Sequence, residues 1–103
     1  MIRVSVFYAS SPTLKFDLDY YVQKHMPLVQ KRLGPALKSM TVEQGISGGA
    51  PGAPIPYAIM AHLTFDSFDA YRAAFAPHKA ELLGDVPNFS NVDPVFQISE
   101  VKL

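Results

Sequence analysis

The chain has 103 residues, with nine basic and nine acidic side chains, so its formal charge at neutral pH is zero. A chain of this length buries roughly two-thirds of the surface that its unfolded form exposes, and we expect residues 1–103 to form a single domain. The scattered basic residues and the absence of cysteine argue against nucleic-acid binding, disulfides and thiolate metal sites. No segment resembles a signal peptide or a membrane span, so we expect a cytoplasmic protein without membrane contact.

The first predicted element is a strand over residues 2–9, where apolar side chains alternate along the chain. Ile2, Val4, Val6 and Tyr8 fall on one face of this strand. A helix is predicted over residues 18–33, because Asp17 is a good N-cap and Gly34 a good stop. Pro27 lies inside this helix and cannot donate to a carbonyl one turn earlier, which predicts a kink or a break.

The remaining elements follow the same reasoning. Asp66 or Ser67 caps a second helix, whose Phe68, Tyr71 and Phe75 share a face. Pro77 interrupts this helix, and a short helical piece follows to Leu83. Three further segments have strand character, namely 39–47, 57–65 and 94–101, and two lack periodicity and are predicted loops, namely 48–56 and 85–92. The order β-α-β-β-α-β predicts an α+β ferredoxin-like plait, with a four-stranded antiparallel sheet and both helices on one face.

The strand at 57–65 is apolar on both sides. One face presents Tyr57, Ile59, Ala61, Leu63 and Phe65, and the other presents Ala58, Met60, His62 and Thr64. The helices cover one side of the sheet only, so we expect a second copy of the chain to cover the other side and form a homodimer. The alternative is that Met60 and Thr64 simply tolerate water.

His25 is the first candidate for chemistry. It follows Leu18 and Tyr21 at helical spacing, which places it on the side of the helix that faces the core. An unperturbed histidine pKa near 6.5 suits general acid or base work at neutral pH. The alternative is a core histidine that bonds to a carbonyl freed near Pro27.

Aromatic side chains predict an apolar ligand pocket near His25. They come from the strand ends and the two helices, and they are Tyr8, Tyr21, Tyr57, Phe65, Tyr71 and Phe75. Aromatic residues at these spacings also serve as ordinary core. His62 is expected on the opposite face of the sheet, and His78 is expected to be exposed. The histidines lack metal-ligand spacing, and no carboxylate joins them in a recognisable triad, so no metal site is expected.

Three motifs resemble the EthD family, which is named for ethyl tert-butyl ether degradation. The likeness extends over almost the whole chain. The motifs are Phe16-x-x-x-Tyr20-Tyr21-x-x-x-His25-x-Pro27-Leu28, Leu63-Thr64-Phe65-Asp66-Ser67, and Asp85-Val86-Pro87-Asn88-Phe89-Ser90-Asn91.

The resemblance implies the dimeric α+β barrel, in which two ferredoxin-like sheets pack face to face. That superfamily includes cofactor-free monooxygenases, lactone isomerases, polyketide cyclases and haem-handling enzymes. Their ligands tend to lie between the sheet and the helices. The resemblance therefore implies a functional His25 and adds Phe89 to the expected ligand contacts.

The leading hypothesis is a cofactor-independent enzyme, of the isomerase or monooxygenase type, that acts on a small hydrophobic or aromatic-derived metabolite. His25 acts as general acid or base, assisted by Tyr8 or Tyr21, and no cofactor is expected. The alternative is a non-catalytic ligand-binding or accessory protein of a catabolic pathway. Haem or metal binding through a histidine is a third hypothesis, which nothing else in the chain favours.

Overall fold

The computed structural model describes all 103 residues. The strands are β1 (Ile2–Ala9), β2 (Ser39–Gln44), β3 (Tyr57–Phe65) and β4 (Val95–Glu100). The helices are α1 (Leu18–Tyr20), α2 (Met26–Leu33), α3 (Phe68–Phe75) and α4 (Lys79–Gly84). A π-helical turn (Tyr21–His25) joins α1 to α2, so residues 18–33 form one continuous helix, called the first helix below. Short 3-10 turns lie at Gly34–Ala36, Ala76–His78 and Val86–Asn88.

The strands form one antiparallel sheet in the order β2-β3-β1-β4. This order confirms the predicted ferredoxin-like plait, because the two β-α-β halves interleave: β3 lies between β1 and β2, and β1 lies between β3 and β4. Val4, Val6 and Tyr8 are buried on the helix side of β1, as their alternation predicts. None of the helices combines the length and the apolar character that crossing a membrane requires.

The first helix begins and ends where the sequence predicts. The Asp17 side chain accepts a hydrogen bond from the Tyr20 amide at 3.0 Å, and Gly34 ends the helix with a φ of 61°. The disturbance near Pro27 takes the form of the π turn rather than a break. In this turn the Met26 amide donates to the Tyr21 carbonyl, five residues earlier in the chain. A π turn holds one residue more than an α turn, and it lies directly before Pro27, which lacks an amide proton.

The second strand is shorter than predicted. It ends at Gln44, and Ile46, which we predicted within the strand, is 96% exposed. Gly45 sits so close to β3 that a Cβ there would lie 2.5 Å from the Tyr57 carbonyl oxygen. The last strand is one residue shorter at each end than predicted, and the predicted loop at 85–92 contains the 3-10 turn Val86–Asn88.

Because of a bulge in β3, Tyr57 lies on a different face of the sheet from the one we predicted. Tyr8 pairs with Ile59 but Ala9 pairs with Tyr57, so one extra residue is inserted between these pairs. Such an insertion reverses the face on which the following side chains lie. The Tyr57 ring therefore packs against Phe7, with ring centroids 4.9 Å apart, on the face of the sheet away from the helices, called the outer face below.

The outer face also carries a polar network. His62 lies there, as predicted, and its Nδ1 is 2.8 Å from the Ser5 hydroxyl. Its Nε2 is 3.5 Å from a carboxylate oxygen of Glu43 on β2. A carboxylate thus lies beside His62, a contact that the sequence did not predict.

Candidate functional site

An apolar cavity lies between the sheet and the helices. Its volume is about 60 Å³, and its walls come from β1, the first helix, α3 and α4. The smallest cavity that holds one water measures roughly 10–15 Å³ on the same scale, so the space is real but narrow. Among the predicted site residues, five line this cavity, namely Tyr8, Tyr21, His25, Tyr71 and Phe75.

His25 is one of the residues that line this cavity. It closes the π turn, and it is 7% exposed although histidine is a polar residue. Its Nδ1 lies 2.9 Å from a carboxylate oxygen of Asp85, which begins the segment after α4. No protein group bonds to its Nε2, and no fully buried polar side-chain atom lacks a partner. Nε2 is therefore an accessible atom of a residue that lines the cavity.

Asp85 fixes the tautomer of the ring. The Tyr20 hydroxyl and the Asn88 side-chain amide both donate to the other carboxylate oxygen, each at 2.8 Å. Partial burial of Asp85 opposes its ionisation, but the hydrogen bonds from Asn88, His25 and Tyr20 outweigh it and lower the pKa of Asp85. A carboxylate only accepts hydrogen bonds, so Nδ1 of His25 carries a proton, and the tautomer of the neutral ring has its lone pair on Nε2.

Aromatic rings hold the imidazole in place. The Tyr21 ring is nearly parallel to the His25 ring, with centroids 5.4 Å apart, and the Phe89 ring lies 4.6 Å from it. Phe89 also contacts Tyr8, Phe16 and Tyr20. Because interlocked rings of this kind resist rotation, the imidazole has one orientation.

Three phenols complete the polar side chains that line the cavity, namely those of Tyr8, Tyr21 and Tyr71. Tyr8 and Tyr21 are each 2% exposed. Burial raises the pKa of Tyr8 above the usual range, with a further contribution from the neighbouring Tyr21. Burial likewise raises the pKa of Tyr21. Both side chains are therefore neutral phenols at physiological pH and act as hydrogen-bond donors rather than as bases.

Three predicted contacts lie outside the cavity lining. Tyr57 is on the outer face because of the bulge, as described above. Phe65 is fully buried and packs against Tyr71. Phe89 lies behind His25, where it supports the imidazole.

Sequence reasoning missed Asp85 and Tyr20. The sequence showed no recognisable triad of a histidine with a carboxylate, and it did not predict the contact between His25 and Asp85. The one local signal is that Asp85 stands directly before a 3-10 turn, where Asn88 donates both its backbone amide and its side-chain amide to it. That signal predicts a capped turn, but it does not predict a contact with His25, which lies 60 residues earlier in the chain.

Comparisons with known proteins agree with this architecture. The family model of the EthD domain matches residues 12–93. An EthD-like protein of Ralstonia eutropha JMP134 is 43% identical to the chain, with a TM-score of 0.93, and the match covers 99% of this chain and 92% of that one. A search of curated proteins gave no match.

Two more distant structures share the fold. A dimeric ferredoxin-like protein of Thermobifida fusca YX is 21% identical, with a TM-score of 0.60, and the match covers 97% of this chain and 90% of that one. A monooxygenase of Streptomyces coelicolor, solved in complex with nanaomycin D, is 15% identical, with a TM-score of 0.62 over 98% of this chain and 86% of that one.

Proposed function

This chain belongs to the EthD domain family, and from that premise we propose that it is a cofactor-independent enzyme. Its substrate is a small hydrophobic or aromatic-derived metabolite of a catabolic pathway, and its reaction is of the isomerase or monooxygenase type. The observation that carries the proposal is the geometry of His25. His25 lines an apolar cavity and its Nε2 has no protein partner, while Asp85 holds Nδ1 at 2.9 Å.

The first chemical step is proton transfer to His25. Nε2 takes a proton from a carbon next to a ligand carbonyl, the C–H bond breaks, and its electron pair moves through the carbon framework onto the carbonyl oxygen. The ring becomes a cation, which the negative charge of Asp85 stabilises. Apolar walls strengthen this attraction, because the cavity screens charge less than water does.

The neutral phenols of Tyr8 and Tyr21 suit the other half of this step. Negative charge develops on the ligand oxygen as the proton leaves, and a neutral hydroxyl can donate a hydrogen bond to it. Both phenols line the same cavity as His25. Preorganised donors of this kind stabilise the enolate without reorganising.

Two reactions follow from the same enolate. In isomerisation, protonated His25 returns the proton to a different carbon, so no other reactant is needed. In the monooxygenase reaction, dioxygen accepts the electrons of a CH₂ group: one oxygen atom becomes a new carbonyl oxygen and the other leaves as water with the two hydrogens. The fold is shared with a monooxygenase, which makes dioxygen uptake worth measuring beside isomerisation.

The test uses 2-tetralone, a neutral fused-ring ketone with activated α-hydrogens. Loss of its α-proton signals in D₂O is followed by NMR, with the wild type and with His25→Ala. We expect the substitution to slow exchange by about 10²–10⁴-fold, the usual contribution of a positioned base. His78→Ala is the matched control, because His78 does not line the cavity, and it should exchange like the wild type.

An unchanged exchange rate in His25→Ala, with far-UV circular dichroism showing a folded protein, would contradict the enzymatic proposal. Binding of 2-tetralone without any exchange above background would favour the accessory ligand-binding protein instead. An oxygen electrode in the same samples separates the two enzymatic reactions, because isomerisation consumes no dioxygen.

We also propose that residues 1–103 act as one domain in a homodimer that pairs through the outer face. No helix covers that face, and Phe7 pairs there with Met60 and Val95 and packs against Tyr57. Val95 is 54% and Tyr57 37% exposed, so an apolar patch adjoins the polar network of His62. The Thermobifida relative of the same fold is dimeric, which supports this assembly.

A further inference from the structure

The helices leave one strand of the sheet uncovered. Phe96 and Ile98 on β4 pair with Val6 and Val4 on β1, so all four side chains lie on the helix side of the sheet. The two β1 residues are 8% and 3% exposed, whereas Phe96 is 44% and Ile98 38% exposed. The side of the cavity formed by β1 is therefore buried, whereas the side along β4, called the flank below, is exposed to solvent.

A second hollow lies on that flank. Its volume is about 250 Å³, and it opens at the surface between the end of α4 and the start of β4. It shares four apolar side chains with the cavity, which we call the neck: Leu83, Val86, Pro94 and Phe96. Because the same four residues line both spaces, the cavity and the hollow lie side by side.

The charges around these spaces disfavour an anionic group on the body of the ligand. Neither space is lined by lysine or arginine, and His25 and the phenols are the titratable groups of the cavity. Asp93 is the charged residue of the hollow, where it would repel an anion. A carboxylate or phosphate group in the neck would lose its hydration beside apolar side chains without gaining a partner. A neutral body matches the apolar neck.

We infer that the cavity, the neck and the hollow hold one elongated, neutral substrate, with Phe96 as a specificity-determining residue. The carbonyl end lies at His25 and the hydrocarbon body passes through the neck. The cavity alone is about 60 Å³, far smaller than the roughly 300–1,000 Å³ of ordinary ligand pockets, so the body must extend outward. The inference rests on the proposed function in placing the reactive end at His25.

The experiment measures binding, so that its result does not depend on turnover. Dissociation constants are determined by titration calorimetry for 2-butanone, 2-hexanone and 2-nonanone, and for nonanoate as the anionic counterpart. The proteins are the wild type, Phe96→Ala and Ile98→Ala. Ile98 lies on the same face of the same strand as Phe96 but lines neither space, which makes it the matched control.

We expect affinity to rise about fourfold per added methylene, the effect of burying each CH₂ group. Phe96→Ala should weaken 2-nonanone binding roughly tenfold and leave 2-butanone binding unchanged, while Ile98→Ala should change neither. Nonanoate should bind more weakly than 2-nonanone. Affinity that does not depend on chain length, or equal effects of the two alanine variants, would overturn the inference.

Failure of the proposed function gives a different result. If His25→Ala leaves exchange of 2-tetralone unchanged while the chain-length series and the Phe96→Ala effect are as expected, the elongated site stands and catalysis by His25 does not.

Discussion

Nδ1 of His25 lies 2.9 Å from Oδ2 of Asp85, although 60 residues separate them in the chain. The contact joins the π turn of the first helix to the segment after α4. In the proposed mechanism His25 is the base, its active tautomer depends on Asp85, and Asp85 does not line the cavity. The proposal therefore makes Asp85 a positioning residue, whose substitution should act on turnover through His25.

The first prediction concerns Asp85→Asn. An amide keeps the size of the side chain but lacks the negative charge that stabilises the protonated ring. We expect kcat for 2-tetralone exchange to fall while KM stays unchanged, because Asp85 does not line the cavity. Initial rates over a range of ketone concentrations separate the two constants. A change in KM alone would mean that Asp85 shapes the binding site instead.

The same carboxylate should make stability depend on pH. The pKa of Asp85 is lowered in the folded protein, so its ionised form stabilises the fold above the usual aspartate pKa of about 3.9 and this contribution is lost as pH falls through the lowered value. Urea unfolding of the wild type and Asp85→Asn between neutral pH and roughly pH 3 checks this. The difference in unfolding free energy should be largest at neutral pH and shrink below about pH 4. A constant difference would contradict it.

The buried phenols should resist ionisation. Burial raises the pKa of both Tyr8 and Tyr21, so neither should contribute phenolate absorbance near pH 10, where free tyrosine titrates. We expect Tyr8→Phe and Tyr21→Phe to leave the alkaline titration of the folded protein unchanged. In denaturant each variant should show one phenol fewer than the wild type. A smaller phenolate signal from either folded variant near pH 10 would count against buried, neutral phenols.

Two glycines offer a matched pair for stability. A Cβ on Gly45 would lie 2.5 Å from the Tyr57 carbonyl oxygen, whereas nothing lies within 4 Å of one on Gly84 at the end of α4. Gly45→Ala should destabilise the protein by about 1–3 kcal/mol, since the backbone must move. Gly84→Ala should stabilise it by about 0.5–1 kcal/mol through the lower helix propensity of glycine. Urea unfolding measures both, and equal effects would disprove the close approach.

Assembly through the outer face predicts a monomerising substitution. Met60→Lys places a charge beside Phe7 on that face, so we expect a folded monomer. Val22→Lys is the control, because Val22 is 48% exposed on the first helix. Light scattering coupled to size-exclusion chromatography should give half the wild-type mass for Met60→Lys and the wild-type mass for Val22→Lys. If the wild-type protein has the mass of a single chain, the proposed homodimer is ruled out.

The sequence predicts the local structure well, because the signals are local. Alternation predicts the buried face of β1, Asp17 caps the first helix and Gly34 ends it. The predicted position of Tyr57 is wrong because one inserted residue moves its side chain to the other face of the sheet, and nothing in the composition of the strand marks the bulge.

The candidate site is predictable in part for the same reason. His25 and Tyr21 follow from helical periodicity, and Tyr8 follows from strand alternation. The role of Asp85 does not follow from either pattern, because its contact with His25 depends on how the segment after α4 packs against the first helix. Long-range pairs of this kind leave no pattern in a single sequence.

The most direct test of the proposed site is a crystal structure of the protein taken from its native cells without added ligand. We expect a neutral organic molecule in the cavity, with a ligand atom within about 2.6–3.2 Å of Nε2 of His25 and its body passing Phe96. A closed cavity with Nε2 bonded to a backbone carbonyl, or a ligand bound only on the outer face, would contradict the central role given to His25.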